Sequence, residues 1–446
     1  MARPGGGTRF ARVPSPRLRG DLVAFAAALC VIAAAAVTGD QLNRAGVPLF
    51  ADSAPIFGFV SPHFGPGTLP AVVTAVAVVA FGPSLAERLS WPLLLAAGYA
   101  ASLCWTFFLA LVEGWHDGIA LRLTHEPEYL HDVPRVTDIP AMLSGFTDHI
   151  LAFQPGSWTV HVSGHPPGAL LTYVWLDRIG LGGGAWAAAL SLLVGSLAAV
   201  AVAVAVRALA GADAARAALP FLVLFPGAVW VGVSADGVFM GVVATGVALF
   251  TLGATGRGLR ADAAAVAGGV LLSWGIFLNY GLVLMAPFVV GVALLTRRVR
   301  PLLLGAAGAV TVVLAFAAAG FWWLDGYHLV VERYHQGEFA LRPYSYWVWG
   351  NVGALLLSAG PVAAVIARRA AVTRTAVAVP VAAAAVAVLA ADISGLSKAE
   401  VERIWLPFAV WFCAGAALLP RAHRRGWLAV QAVTALAVNH LVVTNW

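Results

Sequence analysis

Two acidic segments in the first half of the chain contain residue types that suit acid–base chemistry. EGWHDG starts at Glu113 and contains Asp117, and HEPEYLHDV contains Glu128 and Asp132. A carboxylate held near a reacting hydroxyl can accept its proton, which makes Asp117 and Glu128 candidates for a general base. Solvated loop acids would produce the same pattern, so both interpretations stay open at this stage.

Basic and imidazole side chains in two other segments could bind the negative charge of a phosphate. His165 lies in GHPPG, and Lys398 and Arg403 lie in SKAEVERIW. Arginine offers a planar fork of donors and lysine a point charge, and both suit phosphate oxygens. Because Glu400 and Glu402 lie in the same segment, the alternative is a charged loop whose members pair with one another.

Short polar turns between apolar segments supply further candidates. Asp236 lies in SADG, and Asn279 and Tyr280 lie in NYG. An aspartate at such a point could cap the next helix, or it could bind a substrate, because acids in membrane segments are often functional. We predict that these three residues, together with Glu113 and Asp132, line a substrate pocket.

The segment between residues 113 and 166 holds six of the eleven histidines, which raises the question of a metal site. Histidine is a common ligand of zinc and related metals. However, the sequence contains no HExxH motif and no comparable ligand spacing. We therefore predict no cofactor, and a divalent metal stays open as the alternative.

The elements that position these residues belong to a membrane protein. Of the 446 residues, 61% are hydrophobic and 11% are charged, whereas a soluble domain has about 25% charged residues. Apolar stretches long enough to cross a bilayer recur along the whole chain. The composition predicts an all-α polytopic fold in a lipid bilayer, and the scattered basic residues give no indication of nucleic-acid binding.

Hydropathy predicts thirteen transmembrane helices. The long connection between the third and fourth helices has aromatic and apolar residues, which predict a packed cap of short helices. The thirteen segments are 21–38, 68–83, 93–113, 185–206, 216–233, 237–254, 262–278, 281–296, 302–322, 346–367, 375–392, 404–419 and 427–443.

The distribution of arginine and lysine predicts the orientation of the chain. With the N-terminus in the cytoplasm and 169–181 outside the membrane, 19 of the 27 basic residues lie in cytoplasmic connections, as the positive-inside rule requires. If 169–181 crossed the membrane, LLTRRVRP, ARRAAVTR and PRAHRRG would all move outside. We therefore predict a helix along the outer surface after GHPPG, and an extracytoplasmic site on the plasma (inner) membrane.

These motifs together resemble the GT-C superfamily of integral membrane glycosyltransferases. Its members use polyprenyl-phosphate sugars and include the protein O-mannosyltransferases and the lipid A aminoarabinose transferase. In that superfamily a spanning helix ends in an outer loop with an acidic catalytic residue, and many members have a basic-Pro-Pro motif before a helix beside the membrane. EGWHDG and HEPEYL match the acidic element, and GHPPGALLTYVW matches the motif, over roughly residues 93–300.

The resemblance implies transfer of a sugar from a polyprenyl-phosphate donor to an acceptor hydroxyl, with inversion at the anomeric carbon. By this resemblance Asp117 matches the catalytic acid and Glu128 is the second candidate. His165, Lys398 and Arg403 would contact the donor phosphate. Two extra apolar segments precede the acid, and His165 stands where many relatives have lysine, so a charge at this position requires protonation. The sugar is left open, and the acceptor could be a glycan, a lipid or a protein.

The same reading divides the chain into four parts. Residues 1–20 are a cytoplasmic tail, and 21–92 are N-terminal transmembrane helices. Residues 93–300 are a GT-C-like catalytic core that includes the extracytoplasmic loop 113–184. Residues 301–446 form the C-terminal transmembrane helices.

Two other classes of protein compete with this interpretation. A multi-pass transporter or flippase of a lipid-linked substrate would suit the number of spans and the proline in LFPGAVW. Such a protein places charged groups near the bilayer midplane, whereas the candidate residues here cluster on one predicted side. A metal-dependent lipid hydrolase or phosphatase is the third possibility, and it depends on the histidine-rich loop.

Overall fold

The computed structural model describes residues 18–232 and 234–444, and within them the fold is almost entirely helical. The predicted tail therefore lies outside the described residues except for 18–20. One pair of short strands, Gly58–Val60 and Val442–Thr444, runs antiparallel. This pair joins the connection after the first helix to the last described residues of the chain.

Seven helices among the described residues are long and apolar enough to cross a membrane. A span needs about 20 residues, because an α-helix rises about 1.5 Å per residue and the hydrocarbon core is about 30 Å thick. The predicted all-α polytopic fold class is therefore confirmed. The seven helices are Leu18–Arg44, Thr68–Arg88, Trp91–Ala110, Gly184–Ala210, Ala235–Thr255, Leu259–Leu278 and Val299–Ala318.

The other predicted spans form shorter or broken helices, so the count of thirteen stays a prediction. Tyr344–Ser358 and Val362–Ala371 meet at an angle of 103° and would make an eighth span if counted together. Gly360 and Pro361 separate them; the glycine adopts a φ of 84°, and proline cannot donate to the helix ladder. The remaining helices are Ala212–Val223, Ala228–Val231, Tyr280–Met285, Ala286–Thr296, Ala378–Ile393, Val401–Ile404, Leu406–Ala409, Val410–Leu418, Arg421–His423 and Arg424–Leu441.

Residues 111–183 form a cap of short helices. Asp132 is buried at its centre and accepts hydrogen bonds from the backbone N–H and the hydroxyl of Thr159, each at 2.8 Å. Arg135 pairs with the same carboxylate and lies over the ring of Trp158. The cap helices are Leu111–Glu113, His116–Ala120, Arg122–Thr124, Tyr129–His131, Val133–Arg135, Ile139–Ser144, Phe146–His149, Val160–Gly164 and Pro167–Arg178.

The helix Pro167–Arg178 is the one that the GHPPG motif starts. Its 12 residues rise about 18 Å, which is too short to cross the hydrocarbon core. Proline at the first helical position presets φ for a helix. A Cβ on Gly168 would lie 2.5 Å from the carbonyl oxygen of Phe277, so this glycine lets the helix pack directly on Leu259–Leu278.

The amphipathic helix Trp323–Gln336 follows the seventh long helix, and the 3₁₀ turn Glu338–Leu341 comes directly after it. It packs against the Val160–Gly164 helix of the cap. Gln336 accepts a hydrogen bond from the backbone N–H of Ala152 at 2.7 Å. This helix therefore joins the cap to the C-terminal part of the bundle.

Candidate functional site

Charged side chains from four distant segments meet in a buried group, which we call the charged cluster. Asp236 lies in the first turn of Ala235–Thr255. The other members come from the cap and from the segment before Leu406–Ala409. The charged cluster consists of Glu128, His161, Asp236, Glu400 and Arg403, each exposed by 9% or less.

Arg403 is the centre of the charged cluster. Its Nη1 donates to Asp236 Oδ2 at 2.6 Å, and its Nη2 donates to Glu400 Oε2 at 2.9 Å. Nη2 is also 3.4 Å from Nε2 of His161. Burial opposes the charge on Arg403, but the surrounding carboxylates raise its pKa above the ordinary value. The guanidinium therefore stays charged in the protein interior.

Glu128 is held as a buried carboxylate. Its Oε2 lies 3.1 Å from Nδ1 of His161, and the backbone N–H of His161 donates to the carbonyl oxygen of Pro127 at 3.1 Å. Burial alone would raise the pKa of Glu128, but the charges of His161 and Arg403 lower it below the ordinary value. An ionised carboxylate in a dry site can accept a proton, which is the property a general base requires.

His165 is held as a neutral imidazole with a defined tautomer. The backbone N–H of Gly281 donates to Asn279 Oδ1 at 2.7 Å, which orients the amide so that its Nδ2 faces His165 Nε2 at 3.2 Å. Nε2 therefore accepts, and Nδ1 carries the proton. Nδ1 lies 2.8 Å from the carbonyl oxygen of His161 and 2.8 Å from the hydroxyl of Tyr129. Removal of water lowers the pKa of His165 to about 4.

An outer layer of polar contacts supports the segment that carries Arg403. Arg342 Nη1 donates to Glu400 Oε1 at 3.1 Å and to the carbonyl oxygen of Lys398 at 2.7 Å. Lys398 in turn donates to the carbonyl oxygens of Ala340 and Arg342, at 2.7 and 2.8 Å. The lone lysine of the sequence therefore ties two loops together.

Glu402 lies in the same segment and is fully buried. Its Oε1 accepts the backbone N–H of Phe57 at 2.8 Å. Its Oε2 is buried without a hydrogen-bond partner among the described residues. Burial raises the pKa of Glu402 to about 7.

The structure brings together five of the predicted site residues. These are Glu128, His165, Asp236, Asn279 and Arg403. His165 and Asn279 contact the charged cluster through Tyr129 and the backbone of His161, because the two histidines lie four residues apart on one turn.

The other predicted site residues lie elsewhere. Asp117 is exposed, and its side chain has no hydrogen bond or ion pair within the described residues. Glu113 pairs with Arg122, and Asp132 holds the cap together. Lys398 binds backbone carbonyls, and Tyr280 packs its ring on Trp323 at 5.2 Å between centroids.

Sequence reasoning missed three residues that the structure places at the site. His161 and Tyr129 belong to the motifs VHVSGH and HEPEYL, and the i, i+4 spacing of His161 and His165 was the available signal. Arg342 had none. Glu400 was considered only as the partner of a charged loop, and its ion pair with Arg403 matches that alternative.

Within the described residues, no group of three or more histidine, cysteine, aspartate or glutamate side chains is arranged to hold a metal ion. The charged cluster combines the guanidinium group of Arg403 with three carboxylates and the imidazole of His161, and Arg342 adds a second guanidinium beside Glu400. Such an arrangement can bind a polar ligand and transfer a proton in a site with little water.

Comparisons with known proteins give distant structural neighbours. No protein-family model and no curated protein matches the sequence. The structure is similar to ArnT from Cupriavidus metallidurans in the apo state, with 18% identity and a TM-score of 0.44 over 73% of this chain and 59% of that one. ArnT from the same organism bound to undecaprenyl phosphate matches with 17% identity and a TM-score of 0.43, over 73% and 60% of the two chains.

The chain spans about three fifths of the length of ArnT.

Proposed function

We propose that this protein is a GT-C-type membrane glycosyltransferase that moves a sugar from a polyprenyl-phosphate donor to an acceptor hydroxyl. The observation that carries the proposal is the buried carboxylate of Glu128, 3.1 Å from Nδ1 of His161, whose Nε2 lies 3.4 Å from Arg403. An acid and a permanent cation held in one dry site are the two groups that such a transfer requires.

The structure favours Glu128 over Asp117 as the general base. Glu128 is buried beside His161 and Arg403, whereas Asp117 faces solvent without a side-chain partner among the described residues. In the transfer, Glu128 takes the proton of the acceptor hydroxyl as its oxygen attacks the anomeric carbon. The bond between that carbon and the phosphate oxygen breaks, and the phosphate leaves with the electron pair. One such displacement inverts the anomeric centre.

Arg403 is the proposed contact for the leaving phosphate, because its guanidinium offers a fork of donors. Lys398 is assigned to positioning of the same segment, because its ammonium group donates to the carbonyl oxygens of Ala340 and Arg342. His165 is assigned to positioning, because both of its ring nitrogens already contact protein groups. Asp236 is proposed to bind a sugar hydroxyl, since its Oδ1 is buried without a partner among the described residues. Asn279 holds His165 in place.

The positions of the buried charges favour an enzyme over a transporter. Asp236 lies in the first turn of its helix, and Asp21 lies in the first turn of Leu18–Arg44. Asp392 is the next-to-last residue of Ala378–Ile393. Buried acids at helix ends suit chemistry at the membrane surface, whereas a transporter requires polar groups at the midplane.

The proposed location follows from the same residues. We infer that Asp236, Asn279 and the cap lie on the extracytoplasmic side of the plasma (inner) membrane, which follows from a cytoplasmic N-terminus when the predicted span 216–233 is counted as a crossing. The donor lipid would enter from the outer leaflet. The acceptor could be a glycan, a lipid or a protein.

The test is transfer from a panel of radiolabelled polyprenyl-phosphate sugars to membrane acceptors, comparing wild type with Glu128→Gln and Asp117→Asn. We expect Glu128→Gln to lower the rate about 10²–10⁴-fold, the contribution typical of a general base. Glu126→Gln is the matched control, because Glu126 is exposed two residues away.

Each outcome of this test has a distinct meaning. Loss of transfer in Asp117→Asn alone would move the base to Asp117 and keep the class of enzyme. No transfer by wild type from any donor, together with flipping of a lipid-linked substrate, would replace the enzyme with a transporter.

A further inference from the structure

A cavity of about 420 Å³ opens in the cap, outside the charged cluster. Its walls come from residues 124–134 and from the end of Pro167–Arg178 with the loop that follows it. Cavities of about 300–1,000 Å³ are typical of sites for small molecules. This one therefore has room for one or two sugar residues.

One pair of stacked aromatic rings separates the cavity from the charged cluster. Tyr173 lines the cavity and stacks on Tyr129, with ring centroids 5.3 Å apart. The ring of Tyr129 lies 6.0 Å from that of His161. Glu128 precedes Tyr129 in the chain and contributes to the raised pKa of the Tyr173 hydroxyl, after the larger effect of burial. A ligand in the cavity is therefore separated from the proposed base by this one pair of rings.

The chemistry of the walls selects a neutral ligand that carries hydroxyl groups. Asp177 and His131 line the cavity, and their side chains have no hydrogen bond or ion pair within the described residues. Leu130 and Leu181 supply apolar surface, which suits the C–H face of a sugar ring. A Cβ on Gly182 would lie 2.3 Å from Asp177 Oδ1, so the glycine leaves room for this carboxylate.

An anionic ligand does not suit the same cavity. Its lining contains the carboxylate of Asp177 and neither lysine nor arginine, so a phosphate there would meet a like charge without a compensating cation. The donor phosphate and the occupant of the cavity must therefore be different groups. A free carboxylate is a strong acceptor for sugar hydroxyls.

We propose that this cavity binds a sugar residue of a neutral glycan, and that this glycan is the acceptor of the transfer. The second part rests on the proposed function. A glycan held in the cavity by one residue presents a hydroxyl of its next residue to Glu128 past the edge of the Tyr129–Tyr173 pair. The cavity thereby selects a glycan over a lipid or a protein side chain.

Direct binding to the purified full chain tests the cavity without any transfer assay. The probes are radiolabelled maltose, cellobiose and α-1,6-mannobiose, with glucose 6-phosphate as the charged comparison. We expect at least one disaccharide to bind and the phosphate to bind at least about tenfold more weakly, as expected for a like charge at the site. Leu181→Trp should weaken disaccharide binding at least about tenfold by filling the cavity.

Matched variants separate the cavity from its surroundings. Ile179 is 71% exposed and precedes Leu181 by two residues, so Ile179→Trp should leave binding within about twofold of wild type. Absence of binding by all three disaccharides, or binding that Leu181→Trp leaves intact, overturns the sugar pocket.

The proposed function and the acceptor pocket fail in different ways. Disaccharide binding without transfer from any donor would refute the transferase and, with it, the role of the glycan as acceptor. Transfer that proceeds equally well in Leu181→Trp would keep the transferase and refute the cavity as its acceptor site. A rise in the KM for acceptor in Leu181→Trp, with unchanged donor KM, supports both.

Discussion

Two buried groups of ion pairs, at opposite ends of the bundle, differ in how completely their polar atoms are satisfied. At one end, the carboxylate of Asp21 accepts hydrogen bonds from Arg369 Nε at 2.9 Å and Nη2 at 2.5 Å. It also accepts one from Arg368 Nη1 at 3.0 Å. Arg369 also donates to the carbonyl oxygen of Leu418 at 3.1 Å. At the other end lies the charged cluster around Arg403, in which one oxygen of Asp236 is buried without a partner among the described residues.

The difference separates a structural ion pair from a candidate site. In both groups, removal of the charges from water costs free energy. Only in the Asp21 group does a bidentate ion pair offset this cost in full. A buried acceptor without a partner costs about 1–3 kcal/mol, and such a cost persists where function requires it. The unsatisfied oxygen of Asp236 is therefore what a ligand hydroxyl would bind.

The largest expected effect is on stability, in the Asp21 group of ion pairs. Asp21→Asn should lower the free energy of unfolding by about 3–5 kcal/mol, because it leaves Arg369 buried without its charge partner. Transfer activity per folded molecule should not change. Thermal unfolding in detergent, followed by activity of the folded fraction, checks both parts; Asp40→Asn is the control, since Asp40 forms an exposed ion pair with Arg44.

The second largest expected effect is on transfer activity, in the charged cluster around Arg403. Asp236→Asn should reduce transfer about 10²-fold, because the substrate loses a charged acceptor. Its effect on stability should be smaller than that of Asp21→Asn, because Arg403 would still donate a hydrogen bond to the carboxylate of Glu400, at 2.9 Å. Equal losses of stability in the two variants, with activity retained by Asp236→Asn, would mean that both ends are structural.

The sequence predicted the long helices better than it predicted which charged side chains pair at either end. Hydropathy located the long helices well, because an apolar run of about 20 residues in a membrane protein forms a spanning helix. The GHPPG motif predicted a helix that is too short to cross the membrane. The sequence could not show which charged residues pair, because Asp236 and Arg403 lie 167 positions apart in the chain. Asp117 and Glu128 have the same chemistry in sequence, and only their burial distinguishes them.

The smallest expected effect concerns Glu402, which neighbours Arg403 in the chain. Burial raises its pKa to about 7 from an ordinary value of 4.5, so the folded protein keeps a proton that the unfolded chain releases between these values. The stability contributed by this group is full below about pH 4.5 and is lost as the pH rises through about 7. The loss should amount to no more than about 3 kcal/mol.

Glu402→Gln should remove this dependence, because glutamine can still accept the N–H of Phe57 and does not ionise. The measurement is the thermal midpoint of both proteins between pH 5 and 8. We expect the wild type to lose stability relative to the variant as the pH rises. Parallel curves would mean that Glu402 is ionised throughout, which would place four carboxylates around Arg403 and Arg342 and make the charged cluster less able to receive a phosphate.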